Sequence, residues 1–214
     1  MKKTFTLLAT LLFTVSTFAQ IGVKVGTNLA NMTFSESDLD NSMKIGMIIG
    51  ANYRVEMSDN IDLDLSVSFK QSGVKQESSI LSTTITESLN LNYIDISPNL
   101  SYSVSDAIAL SAGPYIAFAM SGNTKSKIDN DGDVTEETND IKFGDGDEDD
   151  GWKAMDFGIN IGTTYFVNDM ISVNAGYSLG LSNLFYELDG VDSSDQPSAK
   201  NNGIYLSVGY TFGG

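Results

Sequence analysis

Ile171-Ser172-Val173-Asn174-Ala175-Gly176-Tyr177-Ser178-Leu179-Gly180-Leu181-Ser182 alternates residue by residue. The apolar set is Ile171, Val173, Ala175, Tyr177, Leu179 and Leu181, and every residue between them is Ser, Asn or Gly. Successive side chains of a strand point to opposite faces, so this stretch reads as a strand with one apolar face and one small, polar face. The period recurs outward from it. Ile61, Leu63, Leu65, Val67 and Phe69 alternate with Asp62, Asp64, Ser66, Ser68 and Lys70. Ile204, Leu206, Val208, Tyr210 and Phe212 alternate with Gly203, Tyr205, Ser207, Gly209 and Thr211. Residues 21–31, 44–57, 88–104, 107–121 and 151–167 follow suit, with a phase slip expected near Tyr93, and the reading yields eight strands.

The connections alternate in length. Three are short and alike: Met57-Ser58-Asp59-Asn60-Ile61, Val104-Ser105-Asp106-Ala107-Ile108 and Val167-Asn168-Asp169-Met170-Ile171. Each sets Ser or Asn before Asp at the reversal, where those side chains bond their own backbone and tolerate turn geometry. The others are long and acidic, at residues 32–43, 75–87, 122–150 and 185–200, and hold twenty of the 28 Asp and Glu residues. Antiparallel strands in even number, with short turns at one end and long loops at the other, are the pattern of outer-membrane barrels with the short end in the periplasm. The expected fold is all-β, an eight-stranded antiparallel up-and-down transmembrane β-barrel over residues 20–214, with both termini periplasmic and the acidic loops extracellular.

A soluble barrel such as a lipocalin also alternates, but its apolar face points inward to a ligand. Its water-facing surface carries dense Lys, Glu and Thr. Here the polar face is mostly Gly, Ser and Asn, which suits a narrow lumen. Counting back from the first short turn sets Arg54 opposite Asp64 and Glu56 opposite Asp62, with Lys24 and Lys44 on nearby strands. Lys24, Arg54, Glu56, Asp62, Asp64, Lys70 and Asp156 are thus the expected lumen polar network, pairing across the barrel wall. Tyr53, Tyr102, Tyr165 and Tyr210 recur on the apolar face near the short-turn end and, with Phe212, read as a membrane-interface girdle. Phe118, Trp152 and Phe185 are the candidates for the opposite girdle.

Residues 1–19 read as a signal peptide: Lys2 and Lys3, an apolar run from Phe5 to Phe18, and small residues at Thr17 and Ala19 before a cut at Gln20. The run is shorter than the roughly 20 residues of a spanning helix. Without Lys2 and Lys3 the 12 basic residues fall to 10, against 28 acids, a charge of −18. That balance repels nucleic acid and attracts divalent cations.

Chemistry-bearing residues are few. The chain has no His and no Cys, so the usual general bases, thiol nucleophiles and transition-metal ligands are missing, and no G-x-S-x-G elbow occurs. No catalytic residue and no cofactor is expected, and an enzyme is not. One acidic run has a metal-like spacing: Asp129, Asp131, Asp133, Glu137 and Asp140, with the Thr135 carbonyl, resemble an EF-hand calcium loop. Val134 replaces its turn glycine and no helices flank it, so the run reads first as a solvated acidic loop with at most weak binding of Ca²⁺ or Mg²⁺, and only second as a specific site.

Gly22-Val23-Lys24-Val25-Gly26-Thr27-Asn28-Leu29, Leu91-Asn92-Tyr93-Ile94-Asp95-Ile96-Ser97-Pro98 and Leu206-Ser207-Val208-Gly209-Tyr210-Thr211-Phe212 resemble the corresponding segments of the PorT-like outer-membrane β-barrel family of Bacteroidota. The resemblance covers the mature chain and implies the barrel and the outer membrane. It also raises a secretion-related role, as in the family's namesake. The favoured function is a non-enzymatic structural or interaction barrel of the cell envelope. Its expected partners are membrane lipid and lipopolysaccharide, the barrel-assembly machinery that reads a C-terminal aromatic, and envelope proteins. The alternatives are a small porin-like pore and a surface ligand- or calcium-binding barrel using residues 122–150.

Overall fold

A computed structural model describes residues 19–35, 41–81, 83–144, 151–187, 190, 192 and 195–212. The apolar leader 1–18, the acids of 145–150 and Gly213-Gly214 therefore lie outside the described residues. The elements are β1 (Ala19–Phe34), β2 (Asn41–Ser42), β3 (Lys44–Ser58), β4 (Ile61–Ile80), β5 (Thr83–Ser105), β6 (Ile108–Asn130), β7 (Asp133–Asp140), β8 (Phe143–Gly144), β9 (Trp152–Lys153), β10 (Met155–Phe166), β11 (Ile171–Gly180) and β12 (Ala199–Phe212). Strands β1, β3, β4, β5, β6, β10, β11 and β12 pair antiparallel in that order, and β12 pairs back onto β1 to close the ring. Closure leaves the barrel wall without an edge, so ladder hydrogen bonds satisfy its backbone groups.

The alternation reads directly as inside and outside. Val173 faces Val208 and Leu206 faces Ala175 across the ladder, on the outer face, while Ser172, Asn174, Ser207 and Gly209 point inward. The outward side chains form an apolar belt left uncovered by protein: Ile49, Val67, Leu110, Ile161 and Leu206 are all exposed. The reversals at Asp59-Asn60 and Asp106-Ala107 are two-residue turns, and β1 begins and β12 ends beside them. At the third, the Asn168 side-chain oxygen accepts from the Met170 and Ile171 amides, the self-bonded turn expected there.

Two expectations are corrected. First, β5 keeps one phase throughout, so Leu89, Leu91 and Tyr93 share the inner face with Asp95 and Ser97. The irregularity lies on the partner strand: Asn92 pairs Ser121 and Tyr93 pairs Ala119, leaving Met120 as the bulged residue of β6. Second, much of the expected loop sequence is strand. Residues 32–34 continue β1, 75–80 and 83–87 continue the β4–β5 ladder, and 123–130 pair with 133–140. Apart from 32–34, where Met32 and Phe34 face the interior, these lengths carry polar residues on both faces, so they lack the apolar period that marks the barrel. They extend the sheet beyond the rim at the end opposite the short turns.

Candidate functional site

The site that the fold builds is its interior, which is layered. Nearest the short turns the layer is polar. Arg54 Nη2 lies 3.5 Å from Asp64 Oδ2, and Asn52 Nδ2 donates to the same oxygen at 3.0 Å. Arg54 also stands over the Phe166 ring, 5.1 Å from its centre. The register sets Arg54 opposite Asp64 and Glu56 opposite Asp62, as the turn count requires. Glu56, however, is exposed at the rim, and among the described residues it forms no ion pair, so it is outside the lumen network. Asp62 is half-buried beside it and likewise unpaired. The strand ends at Ser58, one residue past the bulged Met57, and a side chain so near the end reaches water.

At mid-height the hydrogen bonds close a ring across the lumen. Lys70 Nζ donates to Ser178 Oγ at 3.4 Å, Ser178 Oγ to Asn160 Oδ1 at 2.7 Å, and Asn160 Nδ2 to Ser97 Oγ at 3.2 Å. Ser97 Oγ donates to Asp95 Oδ1, and Asp95 Oδ2 sits 3.6 Å from Lys70 Nζ. Lys70 is also 4.8 Å from the centre of the Tyr115 ring, a contact that favours a desolvated ammonium. Lys24 Nζ donates to Ser66 Oγ at 2.9 Å. These side chains line a polar cavity of about 100 Å³, room for several waters and partners for each.

Just above, Asp156 is 2% exposed and accepts from Ser182 Oγ, from Asn201 Nδ2 at 2.9 Å and from Tyr115 Oη at 3.3 Å. Asn201 Nδ2 also reaches Tyr93 Oη at 3.3 Å, and Ser72 Oγ donates to Asn201 Oδ1 at 3.0 Å. Hydroxyls and an amide thus hold this carboxylate, and among the described residues no cation forms an ion pair with it. Higher still the interior becomes apolar. Met32, Val74, Leu89, Leu91, Tyr93, Tyr115, Ala117, Leu184 and Ala199 form one buried cluster. Leu91 and Leu184 are 0% exposed.

Segments from above fold down onto this cluster. Phe143 pairs with Trp152, and Trp152 bridges Phe185, with ring centres 4.7 Å apart at 63°. Lys153 N–H donates to the Leu184 carbonyl at 2.8 Å, Leu184 N–H to the Ala199 carbonyl at 2.9 Å, and Tyr186 Oη to the Gly144 carbonyl. Trp152 and Phe185 therefore belong to the interior and not to an outer girdle; of that expected trio Phe118 alone faces outward. At the other end Tyr102, Tyr165 and Tyr210 are exposed on the outer face, Tyr53 is half-buried there, and Phe212 packs edge-on to Tyr210 at 5.1 Å.

The structure does not assemble the calcium-like set. Asp131 and Gly132, both at positive φ (53° and 96°), form a two-residue hairpin tip of the kind Asp-Gly favours. Asp129 Oδ1 accepts from the Gly132 amide, closing that turn. Asp133 lies opposite Asn130, Glu137 opposite Ser126 and Asp140 opposite Asn123, so at about 3.3 Å per residue the last two stand far down an extended strand. Among the described residues no group of three or more acids is placed to hold a metal ion. Lys125 Nζ lies 2.8 Å from Glu136 Oε2, and that hydrogen bond holds the Glu136 carboxyl below its usual range.

Sequence reasoning missed Asp95, Ser97 and Asn160, although Ile94-Asp95-Ile96 sets an acid between two outward isoleucines. It also missed the apolar layer, whose signal was Leu89, Leu91 and Tyr93 on the parity of Asp95.

Residues 15–186 match the family described as outer membrane protein beta-barrel domain. Among solved structures, the chain is similar to Ail, the attachment invasion locus protein of Yersinia pestis, in complex with the heparin analogue sucrose octasulfate. The two are 15% identical over 91% of this chain and 99% of that one, with a TM-score of 0.47. Neisserial surface protein A is similar at 14% identity over 91% and 99% of the two chains, with a TM-score of 0.48. The N-terminal β-barrel domain of Pseudomonas aeruginosa OprF is also 14% identical, over 91% and 99%, with a TM-score of 0.30. No curated protein matches the sequence. With a closed antiparallel ring, an apolar outer belt and a family match over most of its length, the chain belongs to the outer membrane protein β-barrel domain family of the bacterial outer membrane.

Proposed function

We propose that this protein is a closed, non-conducting and non-enzymatic barrel whose work is done by its surfaces, as a structural or interaction element of the envelope. The observation that carries this is the buried apolar layer from Leu91 to Leu184, stacked on the Lys70–Asp95 ring. A small barrel's interior is filled by side chains, and a dry aliphatic and aromatic layer opposes passage of ions. The short turns and both strand termini face the periplasm, and the extension of β4 to β7 faces outward, following the general asymmetry of such barrels. The tyrosines at 53, 102, 165 and 210 then sit at the inner membrane–water boundary, with Phe212 beside them.

The surfaces left for partners are the periplasmic rim and the outer extension. The PorT-like resemblance makes secretion components one class of partner, and their co-purification from outer membranes would support that role. The absence of His and Cys agrees with a non-enzymatic reading. In planar bilayers the purified protein is expected to give no discrete conductance steps. Reproducible steps from the intact chain would overturn the closed-barrel reading in favour of a pore.

A further inference from the structure

Beyond the rim, the register sets the inner face of the extension in two rows. Val74, Leu89, Thr124 and Asn139 form one, each the cross-strand partner of the next. One step farther out, Gln76, Glu87, Ser126 and Glu137 form the second. Across an open cavity of about 390 Å³ stand Phe34 and Trp152, which also line it. Both rings pack on Phe185, with centres 6.4 and 4.7 Å from it, so the aromatic wall is held in place. Glu87 and Ser126 line the same cavity, and among the described residues neither side chain makes a hydrogen bond or ion pair.

An aromatic wall facing a row of amide, hydroxyl and carboxylate groups is two-sided. One side accepts a flat C–H surface, and the other offers acceptors and donors to an edge of hydroxyls. The volume lies in the range of small-molecule pockets. Lys125 also lines the cavity, but its ammonium is paired with Glu136 at 2.8 Å, which leaves the Glu87 carboxylate to repel sulfate, phosphate and uronate groups, since like charges brought together are penalised. We infer that this cradle binds a neutral saccharide of one or two rings, either free or displayed on a glycolipid. The inference rests on the outward placement of the extension proposed above, but binding by the extracted protein is measured without reference to orientation.

Trp152 is the sole tryptophan of the chain, so its emission reports on this cavity alone. The protein extracted from outer membranes is titrated with methyl glucoside, methyl galactoside, N-acetylglucosamine, cellobiose and lactose, and with a sulfated disaccharide. At least one neutral sugar changes Trp152 emission saturably below about 10 mM, and Glu87→Gln or Ser126→Ala weakens it by about tenfold. The sulfated sugar gives no saturable change, and the variants keep the heat-modifiable gel shift of a folded barrel. Competition by added lipopolysaccharide identifies a glycolipid source, and its absence a free one. No saturable change with any neutral sugar overturns the inference, as does full binding by the Glu87→Gln and Ser126→Ala variants or by the sulfated probe. A silent titration with a non-conducting barrel rejects the saccharide alone, whereas conductance steps reject the closed barrel.

Discussion

An Asp95→Leu variant loses about 3–5 kcal/mol of stability, read as a lower denaturant midpoint in detergent micelles. Asp95 is 5% exposed and faces Lys70 across 3.6 Å. Removing the carboxylate strands the Lys70 ammonium among Ser178 and Tyr115, and it takes the acceptor from Ser97. The cost is that of an unpaired buried charge, which exceeds the net worth of the pair itself. The double variant Lys70→Met with Asp95→Leu therefore recovers most of the loss, because neither charge then needs a partner. Equal and additive losses from the two single changes would contradict the pairing.

Placing arginine at Leu206 costs about 2–4 kcal/mol in lipid, because the site lies between the Tyr210 rim and the opposite end of the outer face. Leu206 is 54% exposed to whatever surrounds the barrel. In water such an exposed position tolerates arginine within about 0.5 kcal/mol. The two environments thus give different answers for one substitution, and folding into lipid vesicles at increasing denaturant measures which applies. A neutral outcome would mean that the belt of Val25, Ile49, Leu206 and Val208 is not facing hydrocarbon.

The barrel itself was readable because its two faces differ so strongly. Where one face must meet lipid and the other a narrow lumen, the alternation is nearly free of exceptions, and the count from the Met57–Ile61 turn set Arg54 opposite Asp64. Legibility ended where that contrast ended. In the extension both faces of Thr83–Glu87 and of Asp133–Asp140 meet water, so strand looked like acidic loop. The Asp131-Gly132 dipeptide was the available hairpin signal, but the surrounding acids drew attention to metal spacing. In the interior, the inner face turns from Ser and Asn to Leu91 and Tyr93 while keeping the parity of Asp95. The inward apolar residues of β5 looked like a change of phase when they were a change of layer. Lumen partners such as Lys70 and Ser178 meet because the ring closes, and closure is a long-range fact.

With no native cysteine, single cysteines at Leu206, Ser207 and Val208 can each carry a spin label in the protein reconstituted in lipid. Collision rates with oxygen, which concentrates in hydrocarbon, and with a water-soluble nickel chelate report the surroundings of each label. The predicted result is high oxygen and low nickel access at positions 206 and 208, with both low at 207, which points into the packed lumen. High nickel access at 206 and 208 would place those side chains in water and contradict a membrane-spanning barrel.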